Sequence, residues 1–159
     1  MGTIDYKAAV WAGLITAIVF VMLEMIMVPL FMGGSPWGPP RMIAAILLGM
    51  EVLPPPATFD FGILMAALVV HLPISVLFAI VTAFIIKKMS FGMALVVGAV
   101  LGLLLYVIGF YLMTDIWPWF AKARNWVTIF VHLVFGIVAA WAYMKLRNVN
   151  AEDRQATTT

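Results

Sequence analysis

Residues 61–86 read FGILMAALVVHLPISVLFAIVTAFII, and not one of them is Asp, Glu, Lys or Arg. About 20 helical residues, rising about 1.5 Å each, cross a bilayer core of about 30 Å. A run this long and this apolar is a transmembrane helix. Three more runs have the same character: 8–32, 91–113 and 126–144. Composition agrees, with 65% hydrophobic residues and only 10% charged in 159, and a mean hydropathy of +1.13. A soluble domain carries about a quarter charged residues, so there is too little polar surface here for a water-facing shell. The expected fold is all-α: a polytopic membrane four-helix bundle.

The expected organisation is a single transmembrane domain over 1–147, with spans at about 8–32, 61–86, 91–113 and 126–144. A polar tail over 148–159 follows. The first run is too long for a signal-peptide core and reads as a retained helix. The opening MGTIDY has Tyr6 where myristoylation needs Ser or Thr. With no cysteine, disulfides and thiolate metal sites are excluded. The pI near 9.1 does not point to nucleic acid, because the few basic residues cluster at helix ends, where lipid headgroups are the natural partner. Lys7, Lys87, Lys88, Lys145, Arg147 and Arg154 fall on the side of the termini, against Arg41, Lys122 and Arg124 on the other. That bias predicts both termini in the cytoplasm.

The long loop after the first span reads GGSPWGPPRMIAAILLGMEVLPPPATFD. Pro39 and Pro40 suit a helix start, where a proline loses no intrahelical bond. A short apolar helix is expected over about 40–50, stopped by Pro54, Pro55 and Pro56. It is too short to span and belongs at the outer interface, as a spacer, a lid or a docking face. Trp37, Trp117, Trp119 and Trp126 fall at the same level, where aromatic belts form.

The two halves of the chain repeat an order of features. Gly13 and Ala17 in the first span match Gly98 and Gly102 in the third. Pro36-Trp37 matches Pro118-Trp119, and His71, Ser75 and Ala79 match His132, Gly136 and Ala140. This points to two tandem helical hairpins, with any pseudo-twofold axis along the membrane normal. Small residues four apart also let helix backbones approach, so Gly13, Ala17, Gly98, Gly102, Gly136 and Ala140 are candidate packing positions. Aligned on the glycines, Glu24 falls opposite Gly109.

His71 and His132 are the only histidines, and Glu24 is the only carboxylate in any span. Counted from the outer helix ends, Glu24 lies about 14 Å deep, His71 about 16 Å and His132 about 12 Å. Ser75, Tyr106, Thr128 and Tyr143 share their helix faces. These groups are expected to meet inside the bundle. They would either set helix register, through hydrogen bonds worth well under about 2 kcal/mol each, or do chemistry, the default reading of ionisable groups in a membrane. Three functional readings follow. The first is handling of a proton, ion or small solute by a homo-oligomer. The second is ligation of haem b or a transition metal by His71, His132 and Glu24, without any short metal-binding spacing to support it. The third is an accessory subunit of a larger, for example respiratory, membrane complex. No nucleophile–base spacing, phosphate loop or carboxylate pair points to an enzyme, and no cofactor motif is present.

The chain resembles the small YagU-type bacterial inner-membrane proteins. The resemblance rests on VHLPISVLFAIVTAF, on VGAVLGLLLYVIGFYLM followed by WPWF, on HLVFGIVAA, and more weakly on AGLITAIVF with Pro29. It implies a helical bundle in a bacterial inner membrane and no established activity. Similar chains also carry the designation sodium:proline symporter, a class built from many more helices with an inverted repeat.

Overall fold

Capping side chains and glycines set where the helices begin and end. The computed structural model describes residues 4–156, with side chains through Arg147, and every regular element among them is helical. Helix α1 spans Tyr6–Met27. Its first turn is capped by Asp5, whose carboxylate accepts the Ala8 N–H at 3.0 Å. Pro29, which has no N–H to donate, falls in a widened π-type turn, Val28–Met32, and the chain breaks at Gly33 with φ 66°. Helix α2 spans Gly38–Leu48, with Pro39 and Pro40 in its first turn. It stops earlier than the prolines predicted. Gly49 adopts φ 85°, a backbone conformation natural only to glycine, and ends the helix five residues before Pro54.

Asp60 caps α3, Phe61–Ile86, by accepting the Ile63 N–H at 2.9 Å, and α3 runs unbroken through Pro73. Helix α4 spans Phe91–Val107 and continues as a second π-type turn, Ile108–Leu112. Helix α5 spans Trp126–Ala156, opened by Asn125, whose Oδ1 accepts the Thr128 N–H at 3.1 Å. Its backbone therefore carries on through most of the expected polar tail, of which 157–159 lie outside the described residues. Four stretches are long and apolar enough to cross a membrane: Tyr6–Met32, Phe61–Ile86, Phe91–Asp115 and Trp126–Arg147. The molecule is a membrane four-helix bundle with one short extra helix.

Within the bundle α5 is the most enclosed helix. It packs against α4 and α1, and α1 packs against α3, while α3 and α4 barely touch despite the short turn that joins them. The order in space is α3, α1, α5, α4, with a gap between the two outer members. Helix α2 lies on α3.

The closest approaches fall at corresponding places in the two hairpins. A methyl group on Gly13 would stand 2.5 Å from the Val76 Cα, and one on Gly98 2.5 Å from the Gly136 carbonyl oxygen. Gly102 and Gly136 are closed off by the carbonyls of His132 and Gly98. Ala17 and Ala140 are buried. The two ends of the bundle are packed with different residues. Toward the termini the core is mostly alanine, with Ala8, Ala12, Ala83, Ala94 and Ala140 clustered around Ile86 and Tyr143. Toward the opposite end it is built from Phe20, Val127, Val131 and Phe135. Small side chains fill the core at one end and large ones at the other.

Candidate functional site

Where α3 and α4 part, the aromatic half of the bundle encloses a chamber of about 170 Å³. Phe20 of α1, His71 and Ile74 of α3, Leu105 and Gly109 of α4, and His132 and Phe135 of α5 form its walls. Ile43 and Ile46 of α2 and Trp117 of the loop after α4 also line it. Ile74 and Ile108, at the parting of α3 and α4, are exposed on the bundle surface, so this side faces lipid in a membrane. Gly109 contributes empty space, since a Cβ there would meet nothing within 4 Å.

Helix α2 and the second loop hold one another over the chamber. The Trp119 indole N–H donates to the Met42 carbonyl at 3.0 Å. The Arg41 guanidinium ties the end of the α2 loop by donating to Val52 and Thr58 carbonyls at 2.8 and 3.0 Å. Trp117 and Trp119 are thus parts of the roof, which an interfacial belt alone does not explain.

Each histidine uses one ring nitrogen on the main chain. His71 Nε2 donates to the Ala17 carbonyl at 3.3 Å, while the Ser75 hydroxyl donates to the His71 carbonyl at 2.8 Å. His132 Nδ1 donates to the Thr128 carbonyl at 2.8 Å. A carbonyl only accepts, so these bonds place the N–H of each neutral ring. The other nitrogen of each ring has no partner among the described residues. It is a bare acceptor on a residue that lines the chamber.

The two imidazoles do not touch a common group of their own kind. Both stand against the Phe20 ring, with centroids at 4.9 Å for His71 and 5.0 Å for His132. Phe20 precedes Glu24 by one helical turn, and Glu24 lies in a different place. It is 7% exposed and lines a second cavity of about 40 Å³ with Thr128 and with Pro39 and Met42 of α2. Neither carboxyl oxygen has a hydrogen-bond partner among the described residues. Phe20, Ile43, Phe110 and Phe120 line both cavities and form the partition between them.

The structure therefore brings His71 and His132 to one chamber and sets Glu24 behind an aromatic wall. No hydrogen bond links the carboxyl to either imidazole, and among the described residues no three His, Cys, Asp or Glu side chains gather closely enough to hold a metal ion. Tyr106 stacks on Phe110 and meets the His132 ring edge-on at 5.6 Å. Tyr143 is buried in the alanine-rich end, away from the chamber.

Phe20 and Phe135 were not singled out by the sequence. Phe20 carried a usable sign, lying three residues after Ala17 and four before Glu24 and so on their helix face. A lid was one role expected of α2, and the fold supplies what it covers, with Ile43 and Ile46 lining the chamber. No protein-family model, curated protein or solved structure matches the chain.

Proposed function

We propose that this chain is a non-enzymatic, multi-pass protein of a bacterial inner membrane that takes a small lipid-soluble molecule into the chamber between α3 and α4. The observation that carries this reading is the chamber itself. It is apolar, aromatic, placed at the parting of two spans, and supplied with two bare imidazole nitrogens that accept hydrogen bonds from an occupant. Engineered cavities of about 150 Å³ in protein cores stay dry and bind benzene, so 170 Å³ accommodates a single ring with a short substituent. Entry from the bilayer fits a bundle whose outer members part on the lipid side. Cytoplasmic termini are supported by the excess of Lys and Arg at the end holding Lys7, Lys87, Lys88, Lys145 and Arg147. The fold groups part of that charge, with Arg147 donating to the Lys87 carbonyl at 2.7 Å.

A direct proton relay among Glu24, His71 and His132 is less well supported, because Phe20 separates the carboxyl from the imidazoles. The test is native mass spectrometry of the protein extracted gently from its own membrane, beside a Gly109→Phe variant. A Cβ at that position meets no other residue within 4 Å, and the phenyl ring beyond it takes up chamber volume. A small-molecule adduct on the wild type and none on the variant is the expected result. Identical adduct-free spectra would sink the reading, and additional protein mass would favour an accessory subunit.

A further inference from the structure

The hydrogen bonds of His71 and His132 fix what the chamber offers an occupant. The Ala17 carbonyl takes the Nε2 proton of His71 at 3.3 Å, and the Thr128 carbonyl takes the Nδ1 proton of His132 at 2.8 Å. Moving either proton to the other ring nitrogen would set a lone pair against a carbonyl oxygen, so both neutral rings keep these tautomers. The Ser75 hydroxyl stands 3.5 Å from the same Nε2 but gives its proton to the His71 carbonyl. His71 Nδ1 and His132 Nε2 are left as acceptors with no donor among the described residues. Both belong to buried side chains, where an acceptor left unpaired is costly. The rest of the lining does not satisfy them. Phe20, Ile74, Leu105 and Phe135 are apolar. The one further polar side chain among the described lining residues is Trp117, half-buried and bonded to neither ring.

We propose that the chamber between α3 and α4 takes a phenol, an aromatic ring whose hydroxyl donates to His71 Nδ1 or His132 Nε2. This rests on the chamber reading and names the chemical class of the occupant. Both imidazoles stand against Phe20, with centroids at 4.9 and 5.0 Å, so the two acceptors border one part of the chamber. The ring of the occupant lies among Phe20, Phe110 and Phe135, with which edge-to-face contacts are favourable. A hydroxyl supplies a donor without a charge, which suits a lining that includes no Asp, Glu, Lys or Arg among the described residues. A ring bearing only an acceptor, such as an ether, brings its lone pairs to those of the two nitrogens and leaves both unpaired. A site of this kind discriminates by the hydroxyl proton, because the analogue lacking it strands buried acceptors.

The test uses phenol, toluene and anisole, titrated calorimetrically into the full chain in lipid nanodiscs and corrected for uptake by empty nanodiscs. Toluene replaces the hydroxyl with a methyl group, and anisole keeps the oxygen but has no proton to donate. Phenol should bind at least about tenfold tighter than either, the scale of one buried hydrogen bond. Because His71 and His132 are the only histidines, nitrogen-15 labelling of histidine reads the contact by NMR in the unmodified protein. Phenol should move the signal of an unprotonated ring nitrogen upfield, and toluene should not. Toluene or anisole binding as tightly as phenol would overturn the proposal and leave the chamber reading standing. Phenol binding that leaves both imidazole signals in place would overturn it too. Binding of none of the three would overturn both.

Discussion

Gly102 and Gly109 lie two turns apart on the same span and have opposite surroundings. Gly102 faces the His132 carbonyl so closely that no Cβ fits, whereas Gly109 opens into the chamber. Alanine at 102 must push α4 away from α5, and overpacking of that kind costs about 1–3 kcal/mol. Alanine at 109 meets nothing and removes a flexible residue from a helical turn, so it should be neutral or stabilising by up to about 1 kcal/mol. Reversible unfolding of the two variants in mixed micelles checks the contrast, and equal destabilisation would show that α4 and α5 are not in contact as described. The same scale explains Phe20. Its ring packs against both histidines and also lines the cavity of Glu24.

Among the elements, α2 is the one whose role depends on tertiary contacts. Alone it is an eleven-residue apolar helix, too short to be stable in water or to span a bilayer. It is held by burial of Ala44 and Ala45, by packing on α3, and by the bond from Trp119 to the Met42 carbonyl. Trp119→Phe keeps most of the bulk and deletes the donor, which should loosen the roof without unfolding the bundle. Because the chain has no cysteine, Ile46→Cys gives a clean probe of that roof. Labelling of the Ile46 cysteine by a membrane-impermeant maleimide should run several-fold faster with Trp119→Phe than without it. An unchanged rate would mean that the second loop does not secure α2. The π-type turns belong to this scale too. Both α1 and α4 widen near their ends, at Val28–Met32 and Ile108–Leu112, and the second sets Gly109 and Phe110 at the chamber.

At the scale of the whole molecule, the two ends of the bundle are packed with different residues. Alanines close the end holding the termini, and aromatic residues prop open the end beneath α2. On the proposed reading a ligand enters at the aromatic end, away from the alanine-packed one. Orientation is then a functional matter. With the termini cytoplasmic, Ser90→Cys between α3 and α4 should resist impermeant reagent in intact cells, and Thr114→Cys after α4 should react. The reverse pattern would invert the molecule and place the roof inside.

Composition and run length alone determined that this chain crosses a membrane four times as helices. A bilayer leaves an apolar segment of that length no other way to satisfy its backbone. The repeated spacing of small residues and histidines also made a pair of hairpins legible, since local sequence carries helix contacts that recur at fixed intervals. Only the tertiary structure decided that α3 and α4 part, that α2 and Trp119 roof the opening, and that Phe20 separates Glu24 from His71 and His132. Depth along a helix is a matter of counting residues. Which side chain fills the space between two groups at equal depth depends on packing against helices far away in the chain, and lipid-facing and core-facing apolar residues look alike in sequence.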